Sequence, residues 1–198
     1  MTQAIALSVI PENIASKSDQ VEQLKALLHW FKTDYFTWTD KPKCPRCDSD
    51  AEVENTGSAK PNALEKEGDA GVTELYRCKT CSTDIRFPRY NNVQTLIMER
   101  NGRCGEWANC FTGLCRALGH DTRFILDFTD HIWTEVYIKK EQRWVHMDPC
   151  ENAYDSPKMY EQGWGKKLTY ILAFSVDEVV DVTDRYILSK ITNRMRRD

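Results

Sequence analysis

The 198-residue sequence lacks the features that direct a chain to a membrane or to nucleic acid. It contains no apolar run near the roughly 20 residues needed to cross a bilayer. Its N-terminal apolar patch has no basic lead and meets Pro11 at once, which is untypical of a signal peptide. A formal net charge of -3 argues against a general nucleic-acid footprint. These absences predict a globular protein of the cytoplasm or nucleus, where thiols stay reduced.

Cysteine, by contrast, is plentiful, with eight residues in the chain. A reducing compartment favours metal ligands and free thiols over disulfides. Half of the cysteines form two Cys-x-x-Cys pairs, namely Cys44, Cys47, Cys78 and Cys81. Four thiolates satisfy tetrahedral zinc and leave no open coordination position. The spacing therefore predicts one structural zinc per chain, in preference to four unrelated free or buried thiols.

The stretch between the two cysteine pairs is polar. Residues 48–75 are rich in Ser, Asn, Gly, Glu and Asp, a composition typical of an exposed, poorly packed loop with some disorder. We expect residues 41–88 to be an insertion that depends on the metal to fold.

Helical patterns precede strand patterns along the chain. Residues 18–36 carry a helical apolar stripe behind an N-cap at Ser18 or Asp19, and residues 92–119 are helical with a break at Asn101-Gly102. Strand composition follows at 123–127, 132–138, 144–147 and 168–174. This order predicts an α+β fold with an antiparallel sheet. The predicted parts are an N-terminal helical segment (1–40), the insertion (41–88), a core (89–185) and a fraying tail (186–198).

Cys104 has the surroundings of a nucleophile. It lies between Gly102 and Gly105, and a predicted helix begins at this position. The helix macrodipole stabilises a thiolate there, and free backbone N–H groups can bind a developing oxyanion. The other interpretation of any cysteine, a small buried apolar residue, suits the remaining three: Cys110, Cys115 and Cys150.

A thiolate nucleophile needs a histidine, and that histidine needs an orienting group. His131 and His146 lie on adjacent predicted strands. If the chain turns at Lys139-Lys140, His131 faces Asp148 across the hairpin, and a slip of one residue would separate them. Taken singly, Asp148 could be a strand-ending turn residue and His131 a half-buried histidine. Together with Cys104 they predict a cysteine-dependent catalytic triad.

Four segments resemble the cytoplasmic peptide:N-glycanases, a family of the transglutaminase-like superfamily. They are residues 87–92, 102–111, 130–137 and 163–168. With the cysteine pairs, the resemblance covers residues 24–185. It implies a transglutaminase-like (papain-like) core with a zinc-binding insertion. It also implies hydrolysis of the asparagine side-chain amide that joins N-linked glycans, at the proximal GlcNAc, to misfolded glycoproteins exported from the endoplasmic reticulum, leaving aspartate.

The resemblance also implies roles for individual residues. Its triad is Cys104, His131 and Asp148, in agreement with the residue patterns. Its substrate-binding positions are Trp133, Trp144, Glu151, Arg123, Glu135 and Trp38. The implied partners are N-glycosylated misfolded proteins or glycopeptides and a ubiquitin-like proteasome shuttle protein. The alternatives are an amine-transferring transglutaminase, a cysteine protease and a non-enzymatic zinc-containing binding module.

Overall fold

The computed structural model describes residues 2–197 of the chain, and the side chains of residues 3–196. Its α-helices are α1 (Thr2–Val9), α2 (Glu12–Ala15), α3 (Gln20–Trp30), α4 (Ala63–Glu67), α5 (Val93–Glu99), α6 (Cys104–Ala117), α7 (Met159–Gln162), α8 (Thr183–Tyr186) and α9 (Lys190–Arg197). Among the described residues, no helix combines the length and apolar character that a membrane span requires.

The strands belong to three sheets. They are β1 (Thr37–Trp38), β2 (Val53–Ala59), β3 (Thr73–Cys78), β4 (Asp84–Pro88), β5 (Asn101–Gly102), β6 (Thr122–Asp127), β7 (His131–Ile138), β8 (Arg143–Asp148), β9 (Ala153–Tyr154), β10 (Ile171–Phe174) and β11 (Val179–Asp181). A six-stranded antiparallel sheet has the order β11-β10-β6-β7-β8-β9. Strands β1 and β5 form a short parallel pair, and β2, β3 and β4 form a separate antiparallel sheet. The mixed helix and sheet architecture confirms the predicted α+β class.

The main core lies between the N-terminal helices, α6 and the six-stranded sheet. Leu27, Phe31, Trp107 and Phe111 are fully or almost fully buried there. Their rings and methyl groups meet in edge-on contacts such as that of Phe31 with Trp107, whose centroids are 5.5 Å apart. Burying each such side chain stabilises the fold by about 1.5–3 kcal/mol. The core thereby fixes the start of α6 against β7.

Helix α3 begins behind the predicted N-cap and ends at Trp30, before the predicted limit at residue 36. Asp19 caps α3, because its Oδ1 accepts the N–H groups of Val21 and Glu22 at 3.0 and 3.1 Å. After α3 the chain widens into a π-turn, Phe31–Tyr35, and then enters β1. The Tyr35 hydroxyl donates to Ile97 O at 2.8 Å, which holds this turn onto α5.

The prediction of a poorly packed loop at residues 48–75 is wrong. The segment forms β2, α4 and part of β3, and a buried Glu65 organises it. Asn62 and Glu65 make a capping box, and Glu65 also accepts Thr73 and Arg86 at 2.6–2.9 Å. The Arg86 hydrogen bond lowers the pKa of Glu65 to about 2. Paired charges thus help to order a segment with few large apolar residues, of which Val53 is buried. We call residues 41–88 the four-cysteine module.

The prediction of a fraying tail is also wrong for the part that the structure describes. Helices α8 and α9 pack against the core, and Asn193 is only 2% exposed. Its side-chain amide donates to the carbonyls of Leu168 and Thr169 at 2.9 Å each. The charged composition of the tail gave no indication that Asn193 would be buried. Asp198 lies outside the described residues, and the predicted domain boundaries stay predictions.

Candidate active site

Cys104 is the first residue of α6 and is half-buried. The preceding turn admits only glycine, because a Cβ on Gly102 would lie 2.4 Å from Glu106 Cβ. Glu106 Oε2 accepts the backbone N–H of Arg103 at 3.0 Å, which fixes the residue before the thiol. The first N–H groups of a helix have no helical acceptor. Cys104 therefore lies where a thiolate is stabilised and an oxyanion can be bound.

His131 joins Cys104 to Asp148. Its Nε2 lies 2.7 Å from Asp148 Oδ2, and the Cys104 side chain lies close enough to the ring to influence its pKa. Burial opposes the imidazolium, but the bonds to Asp148 and Cys104 outweigh it and raise the pKa of His131 to about 9. Burial likewise opposes the Asp148 carboxylate, yet the hydrogen bond from His131 keeps the pKa of Asp148 below its usual value. His131 and Asp148 thus form a buried ion pair with the half-buried Cys104 beside it.

The hairpin register differs from the predicted one. Val136 pairs with Val145, and the turn spans residues 139–142 instead of two lysines alone. The shift equals two residues, so the alternation of faces is kept. His131 and Asp148 consequently share a face and meet diagonally.

A hydrogen-bonded chain supports Asp148 from behind. The Tyr160 hydroxyl donates to Asp148 Oδ2 at 2.9 Å, and His146 Nε2 lies 2.6 Å from that hydroxyl. His146 Nδ1 accepts the backbone N–H of Ser156 at 3.3 Å, which leaves the ring proton on Nε2. Burial lowers the pKa of His146 to about 4. Neutral His146 is thus a support for the triad, and sequence periodicity gave no sign of Tyr160.

Three predicted substrate contacts are not available in this structure. Trp133 and Glu135 are 0% exposed and Arg123 is 4% exposed. Arg123 pairs with Glu135 at 2.5 Å, and the Tyr186 hydroxyl bridges Trp133 and Glu135 at 2.9 and 2.6 Å. These side chains are covered in this structure, because the sequence pattern identifies their strand face and not the helix α8 whose Tyr186 packs on it; their contact with substrate stays a prediction. They instead brace the wall behind His131, whose ring centroid lies 5.7 Å from that of Trp133.

The other predicted substrate residues are accessible. Trp38 is 42% exposed and pairs with Gly102, two residues before the nucleophile. Glu151 is exposed, and its N–H donates to Asp148 O at 3.3 Å. Trp144 is half-buried, with the Arg123 guanidinium 4.0 Å from its ring, and lies about 13 Å along β8 from Asp148. Trp38 and Glu151 therefore flank the triad, and Trp144 does not.

Trp164, in the segment 163–168 that carries the family resemblance, lies next to His131. It is 44% exposed, and its ring centroid lies 5.0 Å from that of His131. Gly165, at φ +66, lets the chain turn immediately after it. Gly163 and Gly165, which flank Trp164, are the sequence feature that indicates an unusual loop here. Trp164 presents a flat apolar face beside the catalytic imidazole.

The four predicted metal ligands converge. The sulfur atoms of Cys44, Cys47, Cys78 and Cys81 all lie within 4.8 Å of one another. Cys44 and Cys81 are 3.4 Å apart, Cys47 and Cys78 are 3.6 Å apart, and Cys81 and Cys47 are 3.7 Å apart. A tetrahedron with zinc–sulfur bonds of about 2.3 Å has edges of about 3.8 Å. The residues present fit a four-thiolate metal site.

Two family profiles match the chain. The transglutaminase-like superfamily matches residues 54–149, and the Rad4 transglutaminase-like domain matches residues 128–198. The first match includes the nucleophile helix and the β7–β8 hairpin.

Curated relatives are about 50% identical to this chain over the part of each that aligns with it. A Caenorhabditis elegans protein named peptide-N(4)-(N-acetyl-beta-glucosaminyl)asparagine amidase is 50% identical over 93% of this chain and 31% of its own length. Proteins of the same name from Yarrowia lipolytica and Homo sapiens are 49% and 50% identical, over 81% and 85% of this chain. The chain spans 45% and 26% of those two relatives.

Solved structures agree on the fold. The crystal structure of Rad4-Rad23 bound to a 6-4 photoproduct UV lesion superposes with a TM-score of 0.58 over 99% of this chain and 48% of that chain, at 14% identity. At that identity the likeness shows the fold alone. The chain thus belongs to the transglutaminase-like superfamily, and over most of its length it is a homologue of the peptide-N(4)-(N-acetyl-beta-glucosaminyl)asparagine amidases.

Proposed function

We propose that the chain hydrolyses the side-chain amide between asparagine and the proximal GlcNAc of an N-linked glycan, leaving aspartate. The observation that carries this proposal is the buried 2.7 Å hydrogen bond of His131 with Asp148, together with Cys104 at the start of α6 close enough to influence the His131 ring. The names of the relatives support the choice of substrate.

The first half-reaction transfers the acyl group to sulfur. The Cys104 thiolate attacks the carboxamide carbon, and backbone N–H groups at the start of α6 hold the oxyanion, typically contributing ~10²–10³ in rate per donor. His131, protonated at neutral pH because its pKa is about 9, gives its proton to the departing glycosylamine nitrogen. The carbon–nitrogen bond breaks and a thioester remains on Cys104.

The second half-reaction returns the enzyme to its starting state. His131, now neutral, takes a proton from water while the water oxygen attacks the thioester carbon. The carbon–sulfur bond breaks, which releases the aspartate-containing peptide and restores the thiolate and imidazolium. Asp148 keeps the ring oriented through both steps, and Tyr160 holds Asp148.

The four-cysteine module has a structural role in this proposal. Zinc, when bound, cross-links the two cysteine pairs, and four thiolates leave no coordination position for water. The ion holds the module's fold and takes no part in the hydrolysis. One zinc per chain is the expected stoichiometry.

The biological setting follows from the same proposal. Substrates are misfolded N-glycosylated proteins or their glycopeptides, met in the cytoplasm or nucleus after export from the endoplasmic reticulum. A ubiquitin-like proteasome shuttle protein is the proposed partner. Reduced thiols, which both the nucleophile and the metal ligands require, support the choice of compartment.

The test compares wild-type chain, Cys104→Ala and Cys115→Ala on a denatured high-mannose glycoprotein. Cys115 is the matched control because it is a fully buried thiol on the same helix. We expect wild type and the control to release free oligosaccharide and convert asparagine to aspartate, and Cys104→Ala to do neither. Full activity of Cys104→Ala would exclude the thiolate mechanism. Incorporation of an added amine in place of hydrolysis would indicate a transglutaminase instead.

A further inference from the structure

An ion-pair network joins the four-cysteine module to the start of the nucleophile helix. Glu74 on β3 accepts hydrogen bonds from Arg103 Nη1 and Nη2 at 2.9 and 2.8 Å, and from Arg89 Nη1 at 2.9 Å. Arg89 turns its other edge, Nε and Nη2, to Glu106 at 2.6 and 2.8 Å. Glu106 then accepts the backbone N–H of Arg103, the residue before Cys104.

The network has the properties of a rigid connection. Its side chains are between 6% and 25% exposed, and two guanidinium groups balance two carboxylates. Forked arginine–carboxylate contacts fix both distance and orientation. Burial opposes the Glu74 carboxylate, but hydrogen bonds led by that of Arg103 bring the pKa of Glu74 to about 2. Glu74 is therefore charged over the whole range of a neutral assay.

Arg103 also binds the segment that immediately follows β1. Its Nε donates to Thr39 O at 3.2 Å and its Nη2 to Asp40 O at 2.7 Å. Loss of Glu74 would leave the Arg103 side chain held by these carbonyls, by the Tyr76 hydroxyl and by contact with the Phe87 ring. The turn that presents Cys104 would then lose the forked ion pair that connects it to the sheet of the four-cysteine module and keep only these weaker contacts.

We propose that Glu74 is a positioning residue for Cys104, and that it couples the folded, metal-bound module to the reactivity of the thiol. The proposal rests on the proposed function for its turnover measurement. Displacing a nucleophile by about 1 Å can cost as much as ~10²-fold in rate. The start of α6 must keep the sulfur within reach of His131, and the network is what fixes that start to the module.

The experiment compares Glu74→Gln with Glu54→Gln in zinc-loaded protein. Glu54 lies on the neighbouring strand β2 and pairs only with the exposed Lys79, so its loss should be neutral. The first readout is the alkylation rate of Cys104 by iodoacetamide, read on its own peptide by mass spectrometry. We expect Glu74→Gln to slow it about 10-fold, with kcat falling by a similar factor and KM unchanged.

Metal removal supplies the second arm. Chelation should slow Cys104 alkylation in wild type about as much as the substitution does, and should add little in Glu74→Gln, because both break the same connection. Should Glu74→Gln fail to fold, Arg103→Lys keeps the charge, removes the fork and must show the same slowing. Alkylation at the wild-type rate in a folded, zinc-loaded Glu74→Gln would overturn the proposal. If Glu74→Gln slows Cys104 alkylation as expected but no protein, wild type included, releases glycan, the proposed function is refuted and this inference is supported.

Discussion

Replacing Asp148 by asparagine should remove the charge from His131 near neutral pH. Hydrogen bonds led by that of Asp148 raise the pKa of His131 to about 9 against the effect of burial. At pH 7.5 roughly 97% of the imidazole is then protonated. A neutral amide removes the main stabilising partner, so we expect the pKa to fall to its ordinary value of 6.5 or below. The protonated fraction at pH 7.5 then drops to roughly a tenth or less, and the fall in pKa from about 9 to 6.5 corresponds to about 3 kcal/mol.

The assay is a pH titration of imidazole resonances by NMR, which is practicable because the chain has only four histidines. His131 should titrate near pH 9 in wild type and at or below 6.5 in Asp148→Asn. His120, whose pKa is lowered by burial and is influenced by Lys139 and Asp121 and not by Asp148, is the internal control in both proteins. A wild-type His131 midpoint near 6.5, or a midpoint unmoved by the substitution, would refute the reasoning.

Activity should follow protonation. In Asp148→Asn the departing glycosylamine meets a neutral imidazole, so kcat/KM for glycan release should fall roughly 10²–10⁴-fold. His146 cannot replace His131 as the proton donor to the leaving group, because it is neutral and bonded to Tyr160. A loss below threefold would mean that Asp148 neither charges nor orients His131.

Further predictions concern the surroundings of the triad. Tyr160→Phe removes the 2.9 Å bond to Asp148 and should lower kcat about 10-fold with an unchanged fold by circular dichroism; an unchanged kcat would remove Tyr160 from the mechanism. Glu135→Ala removes the buried partner of Arg123, which keeps only the longer, 3.6 Å ion pair with the exposed Glu178, and should cost about 3 kcal/mol in urea unfolding, whereas a cost under 1 kcal/mol would contradict the burial argument. Because the folded pKa of His131 is raised from 6.5 to about 9, its stabilising effect is complete below pH 6.5 and is lost as pH rises to 9; thermal melting should therefore drop over that window, and a rising melting temperature would contradict it. Metal analysis should find about one zinc per chain, and folded, active protein without zinc would exclude the structural site.

The sequence predicted those features that depend on local chemistry. Two Cys-x-x-Cys pairs indicated a four-thiolate cluster, and the structure brings the sulfur atoms together. Alternation along the strands placed His131 and Asp148 on one face, and this conclusion survived a register error because the error was even. Gly119, at φ +85, ends the nucleophile helix near the predicted stop.

The features that the sequence did not predict depend on distant partners. Trp133 was expected to be open to a sugar, but α8 lies over it and the Tyr186 hydroxyl accepts its indole N–H. Glu65, on helix α4, helps to order a polar segment because Arg86 on strand β4 donates hydrogen bonds to it. Tyr160 supports Asp148 from a helix whose sequence carries no periodic signal. Contacts between residues far apart in the chain decided each case.

The central claim is that Cys104 hydrolyses the glycosylated asparagine through a thioester. Running the reaction in heavy-oxygen water and measuring the released peptide by mass spectrometry tests it directly. The account predicts an aspartate that carries one heavy oxygen in the wild-type product, and none of that product with Cys104→Ala. Aspartate formed by Cys104→Ala at the wild-type rate, or asparagine left unconverted by the wild-type chain, would contradict it.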